Sequence, residues 1–91
     1  MAYEVVDNPE RQRFELLLDG HTAFSTYRIA GDTVIVPHTE VPREFEGRGI
    51  GSALVKGVLD IAREQGLKVK PFCSFVAAYM RRHPETADLR A

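Results

Sequence analysis

The sequence predicts a mixed α+β (α/β) fold. An antiparallel β-meander of about four strands leads into a helix, a parallel strand and a C-terminal helix, as one domain over residues 1–91. Three observations carry this. Apolar residues alternate with polar ones through the first part of the chain. Turn dipeptides punctuate that alternation. At Ile50 the apolar period changes from two residues to between three and four.

Residues 3–7 are a short apolar start and read as an edge strand. Over residues 11–18, Phe14, Leu16 and Leu18 face one side and Arg13 and Glu15 the other, which is strand periodicity. Asp19-Gly20 is a strong hairpin signal. A third strand follows over residues 22–29, with Ala23, Phe24, Tyr27 and Ile29, and Gly31-Asp32 turns the chain again. Thr33-Val34-Ile35-Val36 is β-branched and apolar, as expected of a central strand buried on both faces.

Ile50, Ala53, Leu54, Gly57, Val58, Ile61 and Ala62 then make one apolar helical stripe, with Lys56, Asp60, Arg63 and Glu64 opposite. Gly66 is placed to stop this helix. Residues 67–73 read as a strand that returns by crossover to lie parallel to residues 33–37. Ser74 is placed to cap a last helix from Phe75 to about Arg82, ended by Pro84. The polar tail from Glu85 to Ala91 is expected to be loose.

Composition narrows the function. The net charge is −1, with both signs interspersed, so no basic stripe suits nucleic acid. No apolar run is long enough to span a membrane. Met1-Ala2-Tyr3-Glu4 does not open a signal peptide. A single cysteine leaves no internal disulfide and suits a reducing cytoplasm. No His/Cys cluster has metal spacing, so no metal is expected. A chain of this size has one modest core and a shallow site, so a monomer or a weak homodimer is expected.

The segment from Val41 to Val55 carries the chemistry. A strand end, a glycine-rich turn and a helix start aim main-chain N–H groups at one point, at the positive end of a helix dipole. Gly47, Gly49 and Gly51, at alternate positions, let a bulky anion approach the main chain. The spacing is neither the dinucleotide fingerprint nor a P-loop, which closes on Gly-Lys-Ser/Thr.

Glu46-Gly47-Arg48-Gly49-Ile50-Gly51-Ser52 resembles the acetyl-CoA pyrophosphate loop of GNAT acetyltransferases, whose signature is Arg/Gln-x-x-Gly-x-Gly/Ala. Gly49 and Gly51 match it. Glu46 stands where the Arg or Gln belongs, with Arg43 and Arg48 near enough to offset its charge. Four segments in order, His38–Pro42, Gly47–Gly51, Pro71–Cys73 and Arg82–Pro84, resemble the minimal GNAT-like group, over about residues 3–85.

The resemblance implies binding of acetyl-CoA and acetyl transfer to an amine of unknown identity. The pyrophosphate would sit on the main chain of Gly47, Arg48, Gly49, Ile50, Gly51 and Ser52. The pantetheine arm would run between the strand ending near Val41 and the strand ending at Cys73, with main-chain N–H groups near Val41 supporting the tetrahedral intermediate. His38 and Cys73 are the implied catalytic pair. His38 would take a proton from the amine, and Cys73 would protonate the departing thiolate or accept the acyl group. Each has a plainer reading: a loop histidine bonded to main chain, and a small buried hydrophobe. Glu40 is a second candidate base, better read as a solvated carboxylate. Tyr79 is better read as packing, in the core or against adenine, than as an acid. Arg81, Arg82 and His83 would meet the CoA 3′-phosphate, or serve only the helix C-terminus. The rival function is a non-catalytic acyl-CoA-binding or sensing module on the same fold.

Overall fold

A computed structural model describes residues 3–91. Four strands form the meander: β1 (Val5–Asn8), β2 (Arg13–Leu18), β3 (His21–Ala30) and β4 (Thr33–Glu40). A 3₁₀ turn (Arg43–Phe45) leads to α1 (Ile50–Glu64), then β5 (Lys68–Lys70), α2 (Ser74–Arg82) and a second 3₁₀ segment (Pro84–Leu89). The sheet order is β1-β2-β3-β4-β5, antiparallel up to β4 and parallel between β4 and β5. The GNAT-like α+β arrangement expected from the sequence is the one observed, with β1 at the edge.

Both helices pack on one face of the sheet. Phe14 and Leu16 from β2, Ala23 and Tyr27 from β3, and Val34 and Val36 from β4 meet Leu54, Val55, Val58 and Ala62 of α1 and Val76 of α2. Each strand contributes alternate residues because successive side chains point to opposite faces. The other face is uncovered among the described residues, which corrects the expectation for residues 33–36. Val34 and Val36 are fully buried, but Ile35 is only half-buried on the open side.

β4 runs through Glu40, next to the expected strand end near Val41, and a bulge carries it past Pro37. Thr26 pairs with His38 and Arg28 with Ile35, so Tyr27 faces both Val36 and Pro37. Proline has no N–H to give a ladder, and a bulge is where a strand tolerates it. The extra residue reverses the alternation. After Val36 the next buried residue is Thr39, bonded to Ser25 at 2.8 Å, while His38 and Glu40 face out.

The end of α1 follows the sequence. Gly66 adopts φ +69°, its N–H donates to Arg63 O, and Leu67 N–H donates to Ala62 O at 2.8 Å. These are the two bonds of a Schellman stop.

Three expectations change. The fifth strand is Lys68–Lys70 rather than residues 67–73, because Pro71 interrupts it and Phe72 turns back to donate to Lys70 O. Ser74 is the first residue of α2 and Cys73 is the cap position, with no side-chain cap bond. The tail is not loose. Thr86 and Leu89 are buried, Ala91 N–H donates to Val69 O at 2.9 Å, and Arg90 bridges Val69 in parallel. The free outer edge of β5 needs partners for its main chain, and the tail supplies them.

Candidate functional site

The site starts where β4 outruns its neighbour. Parallel pairing ends at Ile35–Lys70, and one further bond, Cys73 N–H to Val36 O at 2.9 Å, closes the gap. From Pro37 to Glu40, β4 keeps β3 on one side and has no strand on the other among the described residues. That open edge presents main-chain N–H and C=O groups to an extended, peptide-like ligand, as a sheet edge does.

The edge leads to the start of α1. Phe45 N–H donates to Pro42 O and Glu46 N–H to Arg43 O, which turns the chain over the sheet. Gly47 and Gly49 then adopt φ +81° and +75°, a region that other residues occupy only with strain. Gly49 is the N-cap, and no side chain caps the helix. The first intrahelical bond is Ala53 N–H to Gly49 O at 3.0 Å, so the N–H groups of Ile50, Gly51 and Ser52 lie ahead of it. The first turn holds no acidic residue. Uncapped donors at the positive end of a 15-residue helix are groups that could hold an anion.

A cavity of about 520 Å³ opens over this point. Val41, Gly47, Gly49, Ile50, Gly51 and Ser52 all line it, so six of the seven residues expected to bind the cofactor converge. Ile50 is itself buried in the core, which leaves its main chain to face the cavity. Arg48 is the exception. Its guanidinium lies 5.4 Å from the centre of the Phe45 ring and faces a second cavity instead. Glu46, the residue that departs from the family signature, stands exposed at the cavity wall.

The implied catalytic residues sit differently. His38 is exposed on the open face, with Nε2 3.3 Å from Glu40 Oε1 and its ring tilted 60° to Phe24 at 6.2 Å. Glu40 also lines the cavity, so it links His38 to the loop. Cys73 is buried within the core cluster, at the N-cap of α2. Among the described residues no hydrogen bond joins His38 to Cys73.

Tyr79 lies away from this cavity. It is buried, stacks on His83 at 4.0 Å, and burial pushes its phenol above the ordinary range. His83 is further engaged by Glu85 at 3.1 Å. His21 sits 3.7 Å from Glu44 and edge-on to Phe45. Among the described residues no group of His, Cys, Asp or Glu is placed to hold a metal ion, and no helix is long and apolar enough to cross a membrane.

Sequence reasoning missed Phe75. Its ring lies against Gly51, where an added Cβ would come within 2.5 Å of it, and it lines the cavity while 48% exposed. Gly51 therefore makes room for an aromatic wall. The available signal was a large aromatic residue two positions after Cys73 that falls off the buried stripe of α2.

Comparison with known proteins agrees with this geometry. The family model described as GCN5-related N-acetyl-transferase matches residues 13–89. The chain is 36% identical over 86 residues to Protein NATD1 of Xenopus tropicalis, covering 91% of this chain and 79% of that protein. It is 34% identical over 77 residues to Protein NATD1 of Homo sapiens, covering 81% and 68%. A GCN5-like protein of the N-acetyltransferase type from Staphylococcus aureus, solved by NMR, superposes with a TM-score of 0.73 at 28% identity, over 97% of this chain and 87% of that one.

Proposed function

The chain belongs to the GCN5-related N-acetyltransferase family, and from that premise we propose that it transfers the acetyl group of acetyl-CoA to an amine. One observation carries the reading: the unpaired edge of β4 runs directly into the uncapped N-terminus of α1. A CoA thioester has matching parts, an extended diamide arm and a diphosphate. The diphosphate sits on the N–H groups from Gly47 to Ser52. The arm pairs with the main chain between Val41 and Pro37, which brings the thioester beside Glu40, His38 and Cys73.

The residues then act in order. The incoming ammonium loses a proton to the imidazole of His38, whose Nε2 is held by Glu40. The amine nitrogen attacks the thioester carbonyl, and main-chain N–H groups near Val41 support the oxyanion. The C–S bond breaks and the thiolate takes a proton, for which Cys73 at the N-cap of α2 is the candidate donor. In a two-step variant Cys73 accepts the acetyl group first.

The burial of Cys73, with no hydrogen bond to His38 among the described residues, favours a second reading, a non-catalytic acyl-CoA-binding module. Two measurements separate them. Calorimetry with acetyl-CoA is expected to give micromolar affinity, about −8 kcal/mol, lost in Gly49→Asp. A thiol-release assay over a panel of amines is expected to report turnover that falls about 10²–10⁴-fold in His38→Gln, with acetyl-CoA affinity unchanged. Binding without turnover for any amine supports the module. No binding at millimolar ligand removes both readings.

A further inference from the structure

A buried pair of hydroxyls has no part in the reaction as described. Ser25 of β3 and Thr39 of β4 stand opposite each other in the sheet register, and their oxygens meet at 2.8 Å. Ser25 is 0% exposed and Thr39 9%. Each hydroxyl has a single proton to give. Among the described residues neither side chain has another hydrogen-bond partner. If Thr39 donated to Ser25, the Ser25 proton would be left without an acceptor where water does not reach, and a buried unmade bond is costly. Ser25 therefore donates to Thr39 Oγ1, and the Thr39 proton is the one left over. Thr39 lines the first cavity.

The bulge at Pro37 makes this placement. Without its extra residue the alternation along β4 would turn Thr39 outward and His38 inward. With it, Thr39 projects to the helix side of the strand, between His38 and Glu40 on the open side. Resting on the acetyl-transfer reading above, we propose that Thr39 is a catalytic hydrogen-bond donor and that Ser25 positions it. Thr39 Oγ1–H bonds the thioester oxygen as the C–N bond forms and the carbonyl electron pair moves onto that oxygen. The pair returns as the C–S bond breaks. The Thr39 proton is shared throughout and is not transferred. The two faces of β4 then divide the work, with the base outside and the oxyanion donor inside. Accepting a bond from Ser25 strengthens the bond that Thr39 gives. Val41, Phe45 and Ile50 in the cavity wall are apolar, which raises the value of a fixed donor there.

Three variants and their double test this. Thr39→Val removes the donor, keeps the shape and strands the Ser25 hydroxyl. It is expected to lower Tm more than Ser25→Ala, which leaves the Thr39 hydroxyl facing the cavity. The double variant Ser25→Ala/Thr39→Val removes both hydroxyls together, so no buried group is stranded and the fold is kept. In the thiol-release assay Thr39→Val and the double variant are expected to lose about 10²-fold in kcat. The KM for acetyl-CoA and the calorimetric affinity for CoA are expected to stay unchanged, since the bond is made to the developing charge. Thr39→Ser keeps the donor and is expected to recover most of the lost rate. Full kcat in the double variant overturns the assignment. So does a fall in CoA affinity equal to the fall in rate, because the hydroxyl would then serve the arm and not the oxyanion. A larger loss of Tm in Ser25→Ala than in Thr39→Val reverses the order of donation and overturns it too. Absence of turnover by the unaltered protein with every amine overturns the acetyl-transfer reading itself, and this assignment with it.

Discussion

The two ends of α1 are built to opposite specifications. At the C-terminal end the carbonyls of Ile61, Ala62 and Arg63 all find donors. The Schellman bonds close the last carbonyls, Arg63 makes a two-pronged contact with Asp88, and Lys68 Nζ donates to Asp88 O. The tail then seals the edge of β5. At the N-terminal end nothing is tied. The cap is a glycine with no side chain to give, and three N–H groups face a cavity. A glycine at the N-cap gives up about a few tenths of a kcal/mol relative to a capping Ser, Thr, Asn or Asp side chain. Tolerating that loss at one end of an otherwise closed helix makes sense if a ligand supplies the missing acceptors.

Substitutions at the two ends should therefore separate stability from binding. The largest effect is expected for Gly49→Asp. A carboxylate and a Cβ enter a left-handed position at the anion site, so acetyl-CoA affinity should fall by at least ~100-fold, near 3 kcal/mol. The fold itself should lose about 1–2 kcal/mol. If affinity survives, the open end is not the ligand site. Leu89→Ala is the mirror experiment. It empties a buried position in the tail and should cost about 2–4 kcal/mol of stability by denaturant titration, with acetyl-CoA affinity unchanged in the folded protein. A weakened affinity would mean that the ends communicate.

A smaller effect lies in the sheet between them. Tyr27 donates to Asp7 at 2.6 Å, and burial, then that bond, pushes its phenol up to about 12. Its contribution is whole below the ordinary tyrosine value and is lost as pH rises from about 10 toward about 12. Tyr27→Phe should cost about 1 kcal/mol at neutral pH and flatten the alkaline fall of Tm. The smallest effect is expected for Asp88→Asn. The hydrogen bond from Arg63 holds the Asp88 carboxyl below its ordinary range. Its support is present above that range and is lost as pH falls through the lowered value. The pair is exposed, so the substitution should lower Tm less than Leu89→Ala and should blunt the loss of Tm on acidification. An equal or larger loss would mean that the tail is clasped by charge rather than by Leu89.

Much of this was legible in the chain. The alternation of Phe14, Leu16 and Leu18, the Asp19-Gly20 turn, the apolar stripe of α1 and the stop at Gly66 each depend on neighbours within a few residues. So does the glycine loop, whose positive-φ requirement at Gly47 and Gly49 is local. The tail was misread because one leucine and one threonine among polar residues carry no period, and only the waiting edge of β5 makes them core.

The sequence by itself determined the order of elements, the direction of the crossover and the glycine turn before α1, because period, turn chemistry and helix stops are short-range. Tertiary structure alone decided which residues of that frame meet. The bulge at Pro37 exists only opposite Tyr27, and it decides that Thr39 turns inward while His38 faces out. Phe75 reaches Gly51, and Arg48 leaves the loop for Phe45, only because α2 and the 3₁₀ turn pack on either side of one helix end. Such contacts join residues far apart in the chain, and no local preference encodes them.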